Sequence, residues 1–301
     1  MRHPLHEVDP DEALVRRLLR AQHPDLAGLP LRRVAQGWDN VTYRLGEDLA
    51  VRLPARALAA PLVEHEQRWL PVLAPLLPVP VPVPVPVRTG RPGAGYPWAW
   101  SVVPWLAGAP ADALTPRERD RFADELAAAL VTLHRPAPDD APANAVRGVP
   151  LAARDAVVAQ RLEAYEGLHR DALRAAWRDG LAAPPWRGPA LWLHGDPHPA
   201  NLLTSGGHLT GLLDFGDVTS GDPACDLATT WATFTAPGRA RFWEAYRAGS
   251  SYGDEPTVTA LRARARAWAA ALVPVYVAHP DEHPGLAGAG AHAAGELASE
   301  A

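Results

Sequence analysis

Lysine is missing from this chain of 301 residues, so all 29 permanently cationic side chains are arginine. Any role that needs a fixed positive charge falls to a planar, bidentate guanidinium instead of an ammonium. Cysteine occurs once, at Cys225. A single thiol excludes an intramolecular disulfide and fits a reducing cytoplasm, the expected location. Cys225 stands in an apolar helical stretch and reads as a small buried hydrophobe, not a nucleophile. No run of about 18 apolar residues occurs, and residues 1–9 lack an apolar core segment, so neither a membrane span nor a signal peptide is expected. The net charge of −5 lacks the basic excess of a nucleic-acid binder. No obligate protein partner is evident. What remains is a globular chain, 48% apolar and long enough for two lobes with sizeable cores.

The chemistry concentrates in one stretch. Residues 191–203 read Leu-Trp-Leu-His194-Gly195-Asp196-Pro197-His198-Pro199-Ala200-Asn201-Leu-Leu, and 212–217 read Leu-Leu-Asp214-Phe215-Gly216-Asp217. Asp196 and Asn201 have the spacing of H-x-D-x-x-x-x-N, and Asp214-Phe215-Gly216 is a D-F-G; in this order they match the catalytic machinery of kinases. Phosphoryl transfer needs a carboxylate beside the attacking hydroxyl and oxygen ligands for Mg²⁺ at the γ-phosphate. Asp196 would accept or orient the hydroxyl proton, and Asn201 and Asp214 would hold the metal. Between them, Leu202–Thr204 and Leu209–Leu213 read as strands around Ser205-Gly206-Gly207-His208. The two glycines supply the positive φ of a tight hairpin, which would bring Asn201 and Asp214 together at its open end. A competing reading takes His194-x-Asp196-x-His198 as the metal cluster of a hydrolase. It would want further His or Cys ligands in comparable clusters, and the sequence offers none. His194 reads as a structural residue bonded to the loop backbone; His198 reads as a loop residue near the site.

Upstream, Asp9-Pro10-Asp11-Glu12 predicts a helix with Asp9 as N-cap, Pro10 at N1 and Glu12 closing a capping box. Leu14, Val15, Leu18 and Leu19 form its apolar stripe. Residues 31–35, 40–45 and 49–53 read as three strands. Two successive hairpins with a cation, Arg52, on the third strand have the layout of a kinase nucleotide-binding lobe. The first turn, Gln36-Gly37-Trp38-Asp39, would lie over the phosphates with a single glycine, Gly37. Arg52 stands where kinases place a lysine against the α/β-phosphates, and a guanidinium can take phosphate bidentately. Residues 61–73 read as a helix whose apolar row contains Glu66. A carboxylate there demands a partner; Arg52 is the natural candidate, with Glu64 as the alternative carboxylate. Pro78 to Val87 alternates Pro and Val, the pattern of an edge strand or polyproline segment. Residues 96–108 read as an aromatic strand running into a hinge, where backbone groups from Ser101 to Val103 would meet adenine.

Thr115-Pro116-Arg117-Glu118 is a second capping box, followed by Phe122, Leu126, Leu130 and Leu133 at helical spacing. Residues 136–150 read as a loop and 151–180 as two helices. Asp139, Asp140, Glu163, Glu166 and Asp171 could meet a cationic substrate, with solvated acidic surface the commoner reading. Beyond the D-F-G, Asp222 is expected to cap a helix with Pro223 at N1, and Asp226 to add negative charge to its first turns. Helical patterns follow at 237–248 and 256–277, and the Ala/Gly-rich tail after Pro284 is expected to fray.

Gln36-Gly-Trp-Asp-Asn40, Ala50-Val-Arg52-Leu-Pro, Glu66-Gln-Arg-Trp-Leu, His194-Gly-Asp196 to Asn201, Leu213-Asp214-Phe-Gly and Gly221-Asp-Pro-Ala-Cys-Asp226-Leu-Ala together resemble the aminoglycoside phosphotransferase family, relatives of choline and homoserine kinases. The resemblance spans about residues 30–275 and is most specific at the catalytic core, which reads HGDPHPAN where protein kinases have HRD. It implies an α+β, bilobal protein-kinase-like fold: a small β-rich lobe over residues 1–100, a hinge at 101–108 and a large, mostly helical lobe over 109–301. It also implies Mg²⁺-dependent transfer of the γ-phosphate of ATP or GTP to a hydroxyl of a small molecule, an aminoglycoside or other antibiotic among the candidates. By the same resemblance Asp196 is the base, Asn201 and Asp214 the Mg²⁺ ligands, and Arg52 and Glu66 the phosphate-binding pair. The sparse glycine loop and the missing lysine leave two alternatives: a catalytically silent nucleotide-binding module, or a kinase of an ordinary metabolite such as choline or homoserine.

Overall fold

Alternation along three short strands decides the first of the two units into which the chain divides. A computed structural model describes residues 7–36, 40–77 and 85–300. Within residues 7–76 and 85–107, β1 (Leu31–Gln36), β2 (Asn40–Leu45), β3 (Leu49–Pro54), β4 (Arg88–Gly90) and β5 (Trp100–Pro104) form one antiparallel sheet in the order β1-β2-β3-β5-β4. Successive side chains of a strand point to opposite faces. Val41, Tyr43 and Leu45 of β2 and Val51 and Leu53 of β3 therefore share a face, where they pack with Leu14, Val15, Leu18 and Leu19 of the helix α1 (Glu12–Gln22). Arg52, between Val51 and Leu53, points the other way.

The cap of α1 differs from expectation. The helix starts at Glu12 and its N-cap is Asp11, whose side chain accepts from Leu14 N at 2.7 Å. Asp9 instead pairs with Arg33, Nη2 to Oδ1 at 3.2 Å. Two Asp residues precede the apolar stripe, and the one nearer to it satisfies the free N–H groups of the first turn. The helix α2 (Ala60–Leu73) buries Val63, Glu66, Trp69, Leu70 and Leu73, so Glu66 does lie in the apolar row, whereas Glu64 is exposed. Most of the Pro-Val repeat, and the turn 37–39 with Gly37, lie outside the described residues.

The second unit takes residues 108–300 and is mostly helical. After a two-residue strand, β6 (Ala109–Pro110), the Thr115 capping box opens the short α3 (Pro116–Arg119), with both reciprocal bonds present. A 3-10 turn leads into α4 (Ala123–Leu133), followed by α5 (Asp155–Glu163) and α6 (Arg170–Ala182). The catalytic stretch supplies β7 (Leu191–Leu193), β8 (Leu202–Ser205) and β9 (His208–Leu212), with β10 (Thr219–Gly221) paired to β7 and β6 paired to β8. Next come α7 (Ala224–Leu227), α8 (Thr229–Thr233), α9 (Ala236–Gly249), α10 (Glu255–Tyr276) and α11 (Pro284–Ser299), with α10 packed on α6, α7 and α11. No described helix is long and apolar enough to cross a membrane.

The tail does not fray. Ala289, Gly290, Ala293, Ala294 and Leu297 form a buried stripe along α11 at helical spacing. Small residues allow close packing: a Cβ on Gly290 would lie 2.8 Å from Tyr276 Cβ. The buried Arg239 of α9 fixes the far end, donating to Glu296 Oε2 at 2.9 Å and to Glu300 Oε1 at 2.7 Å. Composition hid this helix, because Ala and Gly carry little hydrophobic weight while still tiling a face. Leu297→Ala should therefore cost about 2–5 kcal/mol, as for other fully buried leucines, read as a lower urea midpoint at constant slope; an unchanged midpoint would mean the helix contributes nothing.

Candidate active site

The hairpin β8–β9 forms as its sequence demands. Gly206 and Gly207 have φ of +60° and +87°, positive at both central positions as in a type I′ turn, the tight turn whose twist suits two adjacent strands. Ser205 and His208 flank it in register. At the open end, Leu213 N donates to Asn201 O at 2.8 Å, so Asp214 follows directly the residue that faces Asn201. Asp214 has φ +60°, a left-handed conformation that Asp tolerates better than most residues. Asn201 Nδ2 donates to Asp196 O at 2.9 Å, which leaves its amide oxygen as the atom for a cation. A carboxylate and an amide oxygen are the hard ligands Mg²⁺ prefers, and Mg²⁺ commonly takes only one or two protein ligands, the rest coming from phosphate and water.

The loop bearing Asp196 is held from behind. Asp226 on α7 is fully buried; its Oδ2 accepts from His194 N at 2.7 Å and its Oδ1 from Gly195 N at 2.9 Å. His134 Nε2 lies 3.3 Å from Oδ2, and His134 Nδ1 lies 2.8 Å from Tyr246 OH. Burial alone would raise the pKa of Asp226, but its hydrogen bonds and charge contacts, His134 first, hold it below the usual carboxylate value. Asp226 does add negative charge to the first turn of α7, as expected, and beyond that it anchors the loop that carries Asp196. The helix α7 starts at Ala224 with Pro223 in the N-cap position where Asp222 was expected, although Asp222 still accepts from Ala224 N at 3.1 Å. Asp222 also forms a buried pair with Arg264, Nε to Oδ2 at 2.7 Å. Cys225 is buried, and its thiol pKa is pushed up to about 12, which suits a packing role.

His194 is locked by its own bonds. Its Nε2 donates to Leu213 O at 2.8 Å, and its Nδ1 accepts from Asp196 N at 3.3 Å. That pattern needs the neutral ring, and burial lowers its pKa accordingly. Phe215 of the D-F-G is fully buried, with its ring centroid 4.3 Å from that of His194. With both ring nitrogens engaged, His194 cannot ligate a metal, and among the described residues no three of His, Cys, Asp and Glu form a metal-holding group. The hydrolase reading loses its ligands. Gly195, at φ +92°, admits no side chain, since a Cβ there would sit 2.2 Å from Asp217 O.

The Asp196 carboxylate lies 3.1 Å from Arg147 Nη2 and 3.6 Å from His198 Nε2. Arg147, from the loop before α5, was not foreseen; an arginine in a Pro-rich loop carries no sequence signal. In the first unit Arg52 Nη1 donates to both carboxylate oxygens of Glu66, at 2.7 and 2.9 Å. Ser101 is buried, with its hydroxyl accepting from Gln67 Nε2 at 3.0 Å, and Val103 is buried too. Strand β5 runs between β3 and β4, and Ser101 and Val102 are in register with both. The sheet thus claims their backbone.

Comparisons with known proteins agree with this layout. The family model described as the phosphotransferase enzyme family matches residues 30–285. No curated protein matches. Among solved structures, the GDP complex of aminoglycoside 2′-phosphotransferase-IIIa is 18% identical, with a TM-score of 0.72 over 96% of this chain and 99% of that one. The GDP and kanamycin complex of APH(2″)-IIIa is 19% identical, with a TM-score of 0.70 over 95% and 98%. The macrolide 2′-phosphotransferase MphH from Brachybacterium faecium is 22% identical, with a TM-score of 0.61 over 94% and 98%. At these identities the likeness establishes the kinase-like fold.

Asp226→Asn keeps the shape but turns an amide NH₂ toward a backbone N–H, so it should cost about 1–3 kcal/mol at neutral pH. Because the folded pKa of Asp226 lies below its ordinary 3.8, its contribution is present above that value and is lost as pH falls through and below it. Urea titrations from pH 7 to 3 should show the gap between wild type and variant narrowing at the acid end; a gap constant with pH would remove the charge from the anchor.

Proposed function

Since the chain belongs to the phosphotransferase enzyme family, we propose that it transfers the γ-phosphate of ATP or GTP, with Mg²⁺, to a hydroxyl of a small molecule. The observation that carries this reading is the Asp196 carboxylate on a loop pinned by Asp226, next to the oxygen pair of Asn201 and Asp214. Asp196 orients the acceptor hydroxyl and takes its proton as the oxygen attacks γ-phosphorus and the bond to the bridging oxygen of the nucleoside diphosphate breaks. Mg²⁺ held by Asp214 and Asn201 Oδ1 would offset charge on the phosphate oxygens. Arg52, bonded to Glu66, would take nucleotide phosphate oxygens, which its guanidinium fork suits better than a point charge. Gly37 would lie over the phosphates, and the backbone following Ser101 and Val103 would meet the base.

The neighbours' names bring aminoglycosides and macrolides forward as acceptors, and GDP brings guanine nucleotides beside ATP. A silent module fits less well, because the chain carries Asp196, Asn201 and Asp214 together, the three residue types that the base and the metal ligands would need. Asp196→Asn should lower turnover about 10²–10⁴-fold while Mg·ATP or Mg·GTP still binds, measured by nucleoside diphosphate release and by titration; full turnover in the variant would reject the assigned base. Asp214→Ala should abolish Mg²⁺-dependent nucleotide binding, and an unchanged Mg·ATP titration would remove it from the metal site.

A further inference from the structure

Residues 142–148, between α4 and α5, are stitched to the segment just past the D-F-G. Thr219 Oγ1 donates to Pro142 O at 3.0 Å, and Asp222 N donates to Gly148 O at 2.9 Å. Asn144 Oδ1 accepts from Val146 N and Arg147 N at 2.9 and 3.2 Å, while its Nδ2 donates to Asp217 Oδ1 at 2.9 Å. The two backbones touch: Gly148 has φ +67°, and a Cβ on Gly221 would lie 2.1 Å from Gly148 O. This framework delivers Arg147 to the base in a fixed pose, with its side chain 17% exposed.

Arg147 meets two carboxylates. Its Nη2 donates to Asp196 Oδ1 at 3.1 Å, and its Nε lies 4.0 Å from Asp217 Oδ2. Burial penalises its charge most, but Asp196 and the other negative groups around it together outweigh this and hold the guanidinium pKa above the ordinary arginine value. Burial raises the pKa of Asp217, with Arg147 pulling the other way. Of the five guanidinium N–H groups, one makes a hydrogen bond among the described residues, and Nε is buried without a partner. The charge is thus compensated by carboxylates, but most of the donors that left water make no hydrogen bond in return. Asp196 Oδ2, 3.6 Å from His198 Nε2, is the carboxylate oxygen left to take a hydroxyl proton.

We propose that Arg147 and Asp196 together form the subsite for the reacting end of the acceptor: Asp196 takes the hydroxyl, and Arg147 takes an adjacent oxygen of the same molecule. The acceptor is then a neutral or anionic polyhydroxylated compound, with a second hydroxyl, a carbonyl or a carboxylate beside the reacting group. Two carboxylates at a reaction centre would ordinarily invite an ammonium. Here the chain's own guanidinium already occupies that place beside Asp196 and a second cation would have to displace it, so a polycationic acceptor is disfavoured at this position. The inference rests on the phosphotransferase reading and narrows it.

The test measures ADP and GDP release by the full chain with Mg²⁺. One acceptor set holds neutral sugars, polyols and sugar acids such as gluconate; the other holds kanamycin and choline. The expected result is a kcat/KM at least ten-fold higher for the best neutral or anionic acceptor than for kanamycin. Arg147→Met should raise KM for that acceptor at least ten-fold, more than it lowers kcat, and should raise kcat/KM for kanamycin. Preference of the wild type for kanamycin, or an equal loss on both sets in the variant, would overturn the inference. If Arg147→Met no longer binds Mg·ATP, Arg147→Lys replaces it. That variant keeps the charge without the fork, so the order of preference should persist with an intermediate KM; an equal loss on both sets again overturns the proposal. A wild type that binds Mg·ATP but turns over no neutral or anionic acceptor defeats this inference alone, whereas failure to bind nucleotide at all defeats the phosphotransferase reading.

Discussion

A single buried carboxylate supports the catalytic stretch. The backbone N–H groups of His194 and Gly195 point into the protein, away from solvent, and the Asp226 carboxylate receives both. Two such donors without partners would each cost on the order of 1–3 kcal/mol. Satisfying them fixes the peptide plane just ahead of Asp196, and the His194 ring then ties the loop to Leu213, one residue before Asp214. The Asp196 loop, the hairpin and the D-F-G are thus held as one hydrogen-bonded body. Buried partners add to the rigidity that the fixed φ of Pro197 and Pro199 gives the loop.

The absence of lysine shapes the rest of the polar interior. Arg52–Glu66, Arg264–Asp222 and Arg239 with Glu296 and Glu300 are all guanidinium–carboxylate contacts in which the arginine is largely or fully buried. A guanidinium is more weakly hydrated than an ammonium and offers several donors in a plane, so it tolerates such sites with less loss. Removal of either partner from such a pair strands a buried charge, a far larger penalty than the pair's net contribution. These arginines therefore fix the arrangement of helices and strands more than they add stability.

What could be read from the chain alone follows from how local its cause is. The hairpin, the Thr115 box and the position of Glu66 opposite Arg52 were legible, because turn chemistry, capping and period-two alternation act over a few residues. Asp226 was legible as an acidic residue but not as an anchor, since its partners lie 31 and 32 positions away. The final helix was hidden by small residues whose packing value appears only against Tyr276. Asp9 and Asp11 compete for one cap, and spacing to Leu14 decided between them. Arg147 is the clearest case: its meaning depends on two glycines, Gly148 and Gly221, meeting backbone to backbone.

One buried residue gives the molecule a built-in clock. Cys225 is the sole thiol and precedes Asp226 in the same short helix. Enclosed and held protonated, it is closed to alkylating reagents while α7 stays in place, because the thiolate is the reactive form. Its modification rate therefore tracks how often that helix swings open. Because the anchor for His194 and Gly195 is its immediate neighbour, the same rate counts the moments when the catalytic loop is released from its support.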